Sequence, residues 1–427
     1  MLGGPSGLRD GFAALRYPDF RRFSASLMLT SIAAQSVQIA VLWQVYELTG
    51  SALLLGLTGL VRAAPHIILS MVGGVIADRV DRTRLIQVGQ FINGLLILAL
   101  AALTFAGTIE LWHLYAITSL NAAFSALTMP ARSAIIPRLV PVNVIMNAIG
   151  LNATVQQTSQ IIGPALTGVA IGAIGLGWVY GLTGGAYVVS MLVLLGMRTR
   201  FAPSESREGP WGAFVEGMRF VGSKPVILSL LLLDVWQTLF GGYRALLPVF
   251  ADLVGAGPAG YGLLSAAPGV GSLVGSVFIL SLGDMRYKGV YSIAGVLGYS
   301  LAMVLLGLSP WFWLTLFACG LSGAMNSVQM IPRNTAILTM SPDALRGRVE
   351  AFRSMLAGGA PTLGFTLAGA AAAAVGAPLA VLGGGIICAA LTLGLAATRR
   401  ELRQPDVGAP AEAAVEGTAA VVSSDVG

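Results

Sequence analysis

A chain of 427 residues that is 56% hydrophobic and only 10% charged is poorly suited to water, because soluble domains carry about 25% charged residues. Its 25 Lys and Arg outnumber 19 Asp and Glu, yet the arginines fall one loop at a time between apolar runs, which excludes the continuous basic stripe of a nucleic-acid binder. Cys319 and Cys388 lie inside apolar runs and the two histidines are far apart, which excludes a disulfide framework and a metal site by spacing.

In chain order, segment 1–23 has no early apolar core followed by a cleavage site, so the first helix is expected to act as its own insertion signal. Runs long enough to cross a bilayer, about 20 residues each, then recur at 24–46, 52–77, 85–106, 111–131, 144–170 and 177–197. The polar stretch 198–224 contains a short amphipathic piece, 211–220, expected to lie on the membrane surface. Six more runs occupy 225–250, 258–283, 289–308, 311–333, 348–373 and 377–397. The tail 398–427 is rich in Ala, Glu, Gly and Val and is expected to be disordered. These runs are numbered spans 1 to 12 below.

Loop charge tests the count. Arg9, Arg16, Arg21 and Arg22 precede span 1, Arg79, Arg82 and Arg84 lie between spans 2 and 3, and the central stretch holds five more basic residues. Continuing alternately, twenty-two of the 25 basic residues fall on one side. The opposite loops, around Glu47, Glu110, Asp252 and Pro310, hold none. A wrong count would mix the sides, so the positive-inside rule supports twelve spans with both termini cytoplasmic. The expected fold is an all-α membrane protein with two parallel six-helix halves, 24–197 and 225–397, in the bacterial cytoplasmic membrane.

The halves echo each other. Ala63-Ala64-Pro65 returns as Ala266-Ala267-Pro268, and the Pro130–Ile135 stretch as Pro332–Ile337. Asn121, Ser125, Thr128 and Arg132 fall on one face of span 4. Ser322, Asn326, Gln329 and Arg333 repeat that face on span 10, 201 residues later. Gln35 and Gln38 on span 1, and Asp234, Gln237 and Gly241 on span 7, also share single faces. Such stripes either line a cavity or hold helices together as polar contacts. Parallel repeats of this kind are a known transporter architecture.

Gly74-Val75-Ile76-Ala77-Asp78-Arg79-Val80-Asp81-Arg82, between spans 2 and 3, resembles the loop signature of the major facilitator superfamily, with Asp81 and Thr83 departing from it. Trp43–Ser51, Leu233-Asp234, Leu246–Phe250, Gly260–Leu264 and Arg346-Gly347-Arg348-Val349 are similar to the bacterial exporter branch that includes macrolide-efflux and siderophore-export permeases. The resemblance extends from residue 12 to about 400. It implies a cavity lined by spans 1, 4, 7 and 10, which adds Arg244 to the cavity-facing residues. It also implies a gate in which Gly74, Asp78, Arg79 and Arg82 act with Arg348 at the start of span 11; a solvated loop charge serving topology is the plainer reading of Asp78. Gly163-Pro164, with Ser159 and Thr167 where glycines are usual, resembles part of the antiporter motif of proton-coupled exporters and is read as a gating kink or as a packing kink.

Two charges remain. Asp234 sits roughly 15 Å into span 7 at 1.5 Å per residue, where a carboxylate is expensive unless protonated or paired. It is therefore a candidate proton carrier, or a structural partner for an arginine. Arg62 lies near the middle of span 2, with His66 one turn below, and is expected either to pair with Asp234 in one conformation or to sit in a wet cavity. Gly168/Gly172 and Gly271/Gly275 are spaced for close contact of spans 5 and 8. Taken together, the expectation is a monomeric secondary exporter of a small amphipathic molecule, drug-like or siderophore-like, working by proton antiport. An uptake or uncoupled permease, or a non-transporting sensor, are the alternatives. Neither cofactor nor metal is expected, and no nucleophile–base constellation points to an enzyme.

Overall fold

The computed structural model describes residues 12–197, 210–283 and 285–405; the side chains of 70–79 and of several positions within 210–217 and 343–358 lie outside that description. Spans 1 to 6 are the helices Pro18–Thr49, Ala52–Arg79, Arg82–Phe105, Leu111–Leu139, Ile145–Ile174 and Leu176–Leu195. A short linking helix, Pro210–Ser223, follows. Span 7 is broken into Pro225–Phe240, a 3-10 turn Tyr243–Leu246, and Leu247–Leu253. Spans 8 to 12 are Gly257–Ser281, Lys288–Gly307, Phe312–Met340, Asp343–Val375 and Ala377–Thr398. No strand occurs among the described residues.

Several helices outrun the apolar windows that located them. Span 4 continues through Pro130 and Pro137 to Leu139, and span 10 through Pro332 to Met340. Apolar runs stop at the first arginine, whereas the backbone hydrogen-bond ladder continues, and neighbouring helices make internal prolines tolerable. Among the described residues, nine helices are long and apolar enough to cross a membrane by themselves, and spans 4 and 5 qualify as a pair bent by 115°. The described apolar stretch of span 11, Gly359–Val375, is shorter than a full crossing.

Local chemistry sets the ends. The Asp81 carboxylate caps span 3 by accepting from the Arg84 backbone N–H at 3.0 Å, which satisfies one orphan donor of the first turn. Spans 5 and 6 meet at Gly175 (φ 83°) and spans 11 and 12 at Gly376 (φ 87°). Glycine adopts that left-handed backbone without steric penalty, and the two positions lie 201 residues apart, the same offset as the polar stripes.

The chain resolves into two compact units. One comprises Met1–Arg207 with Arg244–Gly269, the other Glu208–Tyr243 with Val270–Gly427. In the first, span 3 packs on span 6, span 2 on span 4, and span 1 on span 5. In the second, span 9 packs on span 12 and span 7 on span 11, while span 8 meets span 10 through Gly271 and Gly275, where a Cβ would strike the backbone of Gly320 and Ala324. Each pairing thus recurs six spans later.

The expected role of Gly271 and Gly275 is corrected here: they serve span 10, not span 5. Span 5 approaches span 8 through Gly168 and Gly262 instead; a Cβ on Gly262 would lie 2.6 Å from the Gly168 Cα and 2.7 Å from the Pro164 carbonyl oxygen. Gly172 faces open space. Lipid tails are as apolar as leucine, so helices in a bilayer associate by this close packing and by hydrogen bonds. Inside the first unit, the Ser26 and Ser190 hydroxyls bond at 2.7 Å, Gln90 donates to Ser26 at 3.0 Å, and the Tyr180 hydroxyl donates to Gln44 at 2.8 Å. The opposite helix faces expose large apolar groups, Trp313 at 75% and Leu280 at 74%, far beyond what a water-soluble surface sustains.

Candidate functional site

In the second unit, charge concentrates where spans 7, 10 and 11 meet. Asp234 forms an ion pair with Arg333, whose side chain is 4% exposed against 21% for the carboxylate. Arg333 also donates to the Asn334 amide oxygen from Nη2 at 3.3 Å. The same oxygen accepts from Arg353 Nη1 at 3.4 Å, and Arg353 Nε donates to Glu350 at 2.8 Å. Two arginines and two carboxylates balance, which is how a low-dielectric site retains charge. The partner of Asp234 in this structure is Arg333, on a packed helix, whereas pairing with Arg62 is expected from sequence in one conformation of two.

The polar stripes of spans 7 and 10 run into this centre but are packed shut. Gln237 Nε2 donates to the Asn326 amide oxygen at 2.8 Å, and the Ser322 and Tyr243 hydroxyls bond at 2.7 Å. Gln237, Ser322 and Gln329 are buried, and Gln329, with neither amide atom hydrogen-bonded, backs onto Gly295 of span 9. Span 4 behaves alike. The Thr128 methyl fills the space over Gly89 of span 3, Thr128 Oγ1 donates to the Ser125 carbonyl at 3.1 Å, and Asn121 donates to Asn93 at 3.0 Å. In this state these residues, expected to line a cavity, make contacts between helices.

An open cleft of about 470 Å³ lies within the first unit. Gln35 and Gln38 of span 1, Gln160 and Pro164 of span 5, Arg244 at the span 7 break, and Tyr261 and Ser265 of span 8 line it. The helix break matters here: released from regular helix, the Tyr243–Leu246 turn leaves Arg244 exposed between buried Tyr243 and Ala245. Gly163 permits the close fit of spans 1 and 5, since a Cβ there would sit 2.7 Å from the Gln35 Cβ. At one end of the unit Trp43 stacks on Tyr261 with centroids 5.6 Å apart, and the Tyr46 hydroxyl donates to Asp252 at 2.8 Å.

Deeper in the first unit, Arg132 Nη1 donates to the Thr30 hydroxyl at 3.2 Å. Arg62 acts electrostatically on His66, and Arg62 and Arg132 both act on Tyr187, whose hydroxyl meets Asn121.

Of the gating candidates, Gly74, Asp78 and Arg79 lie outside the described side chains. Arg82 is buried. Arg348 pairs with Glu216 of the linking helix, the side chains being 30% and 49% exposed. Sequence reading missed Arg353, Glu350, Tyr187 and the Tyr46–Asp252 contact. Arg353 could have been found, since it is a third arginine outside the loops. The others carry no periodic signal.

Comparison with known proteins agrees with this architecture. A family model described as "Transmembrane secretion effector" matches residues 9–422. The chain is 26% identical over 334 residues to the enterobactin exporter EntS of Shigella boydii serotype 4 (strain Sb227), covering 78% of this chain and 80% of that one. The enterobactin exporter EntS of Escherichia coli O81 (strain ED1a) matches to the same extent, 26% over 334 residues. Among solved structures, a bacterial homolog of the human lysosomal transporter Spinster superposes with a TM-score of 0.73 at 15% identity, covering 92% of this chain and 98% of that one. A POT family transporter in complex with 5-aminolevulinic acid superposes with a TM-score of 0.72 at 12% identity, covering 90% and 96%. The twelve-helix repeat and a family match over nearly the whole chain lead to one conclusion: this multi-pass membrane protein belongs to the transmembrane secretion effector family of major facilitator transporters and is not an enzyme.

Proposed function

We propose that the protein exports a small amphipathic, siderophore-like molecule across the bacterial cytoplasmic membrane by alternating access, driven by proton antiport. The observation that carries the coupling is the Asp234–Arg333 pair. A carboxylate roughly 14 Å from the end of its helix holds a nearly fully buried arginine. Protonating Asp234 discharges one partner, leaves Arg333 uncompensated, and so favours a different packing of spans 7, 10 and 11. Binding of substrate and of a proton would then bias the same two-state element, which is the requirement for exchange.

Export as the direction is supported by the kinship with the enterobactin exporters, and enterobactin itself is the first compound to try. The Tyr46–Asp252 bond, the Trp43–Tyr261 stack and the Gly168–Gly262 contact are the links that opening toward the outside has to break. Each chain carries both repeats, so the working unit is the monomer.

The test uses inside-out vesicles energised to an acid interior, with the proton gradient followed by acridine orange quenching. Enterobactin added outside should partly restore fluorescence in vesicles containing the protein, and Asp234→Asn should abolish the response. An unchanged gradient with accumulation of the compound would instead favour an uncoupled permease.

A further inference from the structure

The two halves place an arginine at corresponding positions, Arg132 on span 4 and Arg333 on span 10, 201 residues apart. Each reaches the first span of its own half. Arg333 meets Asp234, but among the described residues Arg132 donates to the hydroxyl of Thr30 alone, and its Nε is buried without a hydrogen-bond partner. The Ala-Ala-Pro repeat aligns Arg62 with Ser265 in the second half. One half therefore neutralises its arginine, whereas the other adds a second.

Among the described side chains, no acid of the first half pairs with either arginine; the side chain of Asp78 lies outside the description. Between Phe20 and Tyr46, Ala52 and Ala77, Leu85 and Ile109, and Leu111 and Met197 there is neither Asp nor Glu. The nearest acid on span 2, Asp78, is 16 residues from Arg62, about 24 Å along the helix. Asp19 is paired with Arg22, Asp81 caps span 3, and Glu47 and Glu110 lie at the far end of the spans. Among the described residues neither Arg62 nor Arg132 makes an ion pair. Both are partly exposed, as is His66, while Tyr187, which feels both guanidinium groups, is buried. Uncompensated charge inside a membrane bundle marks a ligand site or a functional relay.

We propose that Arg62 and Arg132, with Tyr187, Asn121 and Thr30 as hydrogen-bonding neighbours, form a subsite for the negatively charged group of an amphipathic organic anion. This rests on the transporter reading and narrows its cargo: an oxyanion seated on the first half, with the apolar body free to lie elsewhere. The second half, internally balanced, does not need the substrate's charge. Arg62 and Arg132 thus set specificity for charge, while Asp234 and Arg333 serve coupling.

The probes are a matched pair: anilinonaphthalene sulfonate, an amphipathic anion, and phenylnaphthylamine, which lacks only the sulfonate. Binding to the full chain in nanodiscs of zwitterionic lipid is read by fluorescence, with empty nanodiscs subtracted. The wild type should bind the anion saturably and at least about tenfold more tightly than the neutral probe. Arg62→Gln and Arg132→Gln should each weaken anion binding about tenfold, the loss of a charge-assisted hydrogen bond, and leave the neutral probe unchanged. Arg132→Lys, which keeps the charge, should recover part of the anion affinity.

Equal affinity for the two probes in the wild type would overturn the proposal. So would an equal loss of both in the glutamine variants, which marks the arginines as structural. Binding needs no gradient, so a failure of the vesicle experiment with intact charge selection would count against export and not against this subsite.

Discussion

Replacing Asp234 by Asn keeps the side-chain volume and removes one charge from a pair whose arginine is 4% exposed. Losing one partner of a buried ion pair is destabilising by about 3–5 kcal/mol, because the remaining charge stays desolvated. Arg333 keeps Asn334, but at 3.3–3.4 Å, long for a hydrogen bond, so the low end, about 3 kcal/mol, is expected. For a bundle of this size, each kcal/mol is about 2–4 °C, which gives a fall in melting temperature of roughly 6–12 °C by the same scaling. Arg333→Gln should cost less, because the carboxylate left behind is 21% exposed and stays partly hydrated. The double variant should be more stable than the sum of the singles by about 1–3 kcal/mol. Tryptophan-fluorescence melts in nanodiscs measure all three. Additive effects, or an Asp234→Asn protein that melts with the wild type, would refute the idea that this pair is a coupled, buried element.

Three further outcomes follow from particular contacts. Gly262→Val places a side chain against the Gly168 Cα and the Pro164 carbonyl; transport should be lost while the protein still inserts and is purified, as size-exclusion profiles and vesicle assays would show. Glu216→Gln removes an ion pair whose members are 30% and 49% exposed, and pairs so solvated contribute about 0–1 kcal/mol; its melting temperature should stay within about 3 °C of wild type. Arg244→Ala opens the cleft bounded by Gln35, Gln38 and Tyr261 and should change which compounds are transported, measured by susceptibility profiles of expressing cells.

Much of the fold was legible because bilayer thickness and loop charge act on whole runs of residues. Twelve apolar runs and the alternation of arginines require no knowledge of tertiary contacts. Helix ends were less legible: Arg132 and Arg333 look like loop residues, yet both lie inside helices that continue past them. The sites were legible by position more than by partner. Asp234 stood out as a lone acid in an apolar run, but its partner came from span 10, because the pairing depends on which helices pack, not on which charges are scarce. The polar stripes show the same limit. Periodicity puts Thr128, Ser322 and Gln329 on one face; whether that face meets water or a neighbouring helix depends on packing, and here it meets a helix. Glycine spacing misled for the same reason, since Gly271 and Gly275 fit span 10 as well as they would have fitted span 5.

The central claim is that outward movement of an amphipathic molecule is exchanged for protons through Asp234. Its most direct test is the simultaneous measurement, in inside-out vesicles, of siderophore accumulation and collapse of the proton gradient, for the wild type and for Asp234→Asn. The account predicts that both signals appear together in the wild type, scale with each other, and vanish together in the variant. Accumulation that persists in Asp234→Asn with full gradient dependence would contradict it.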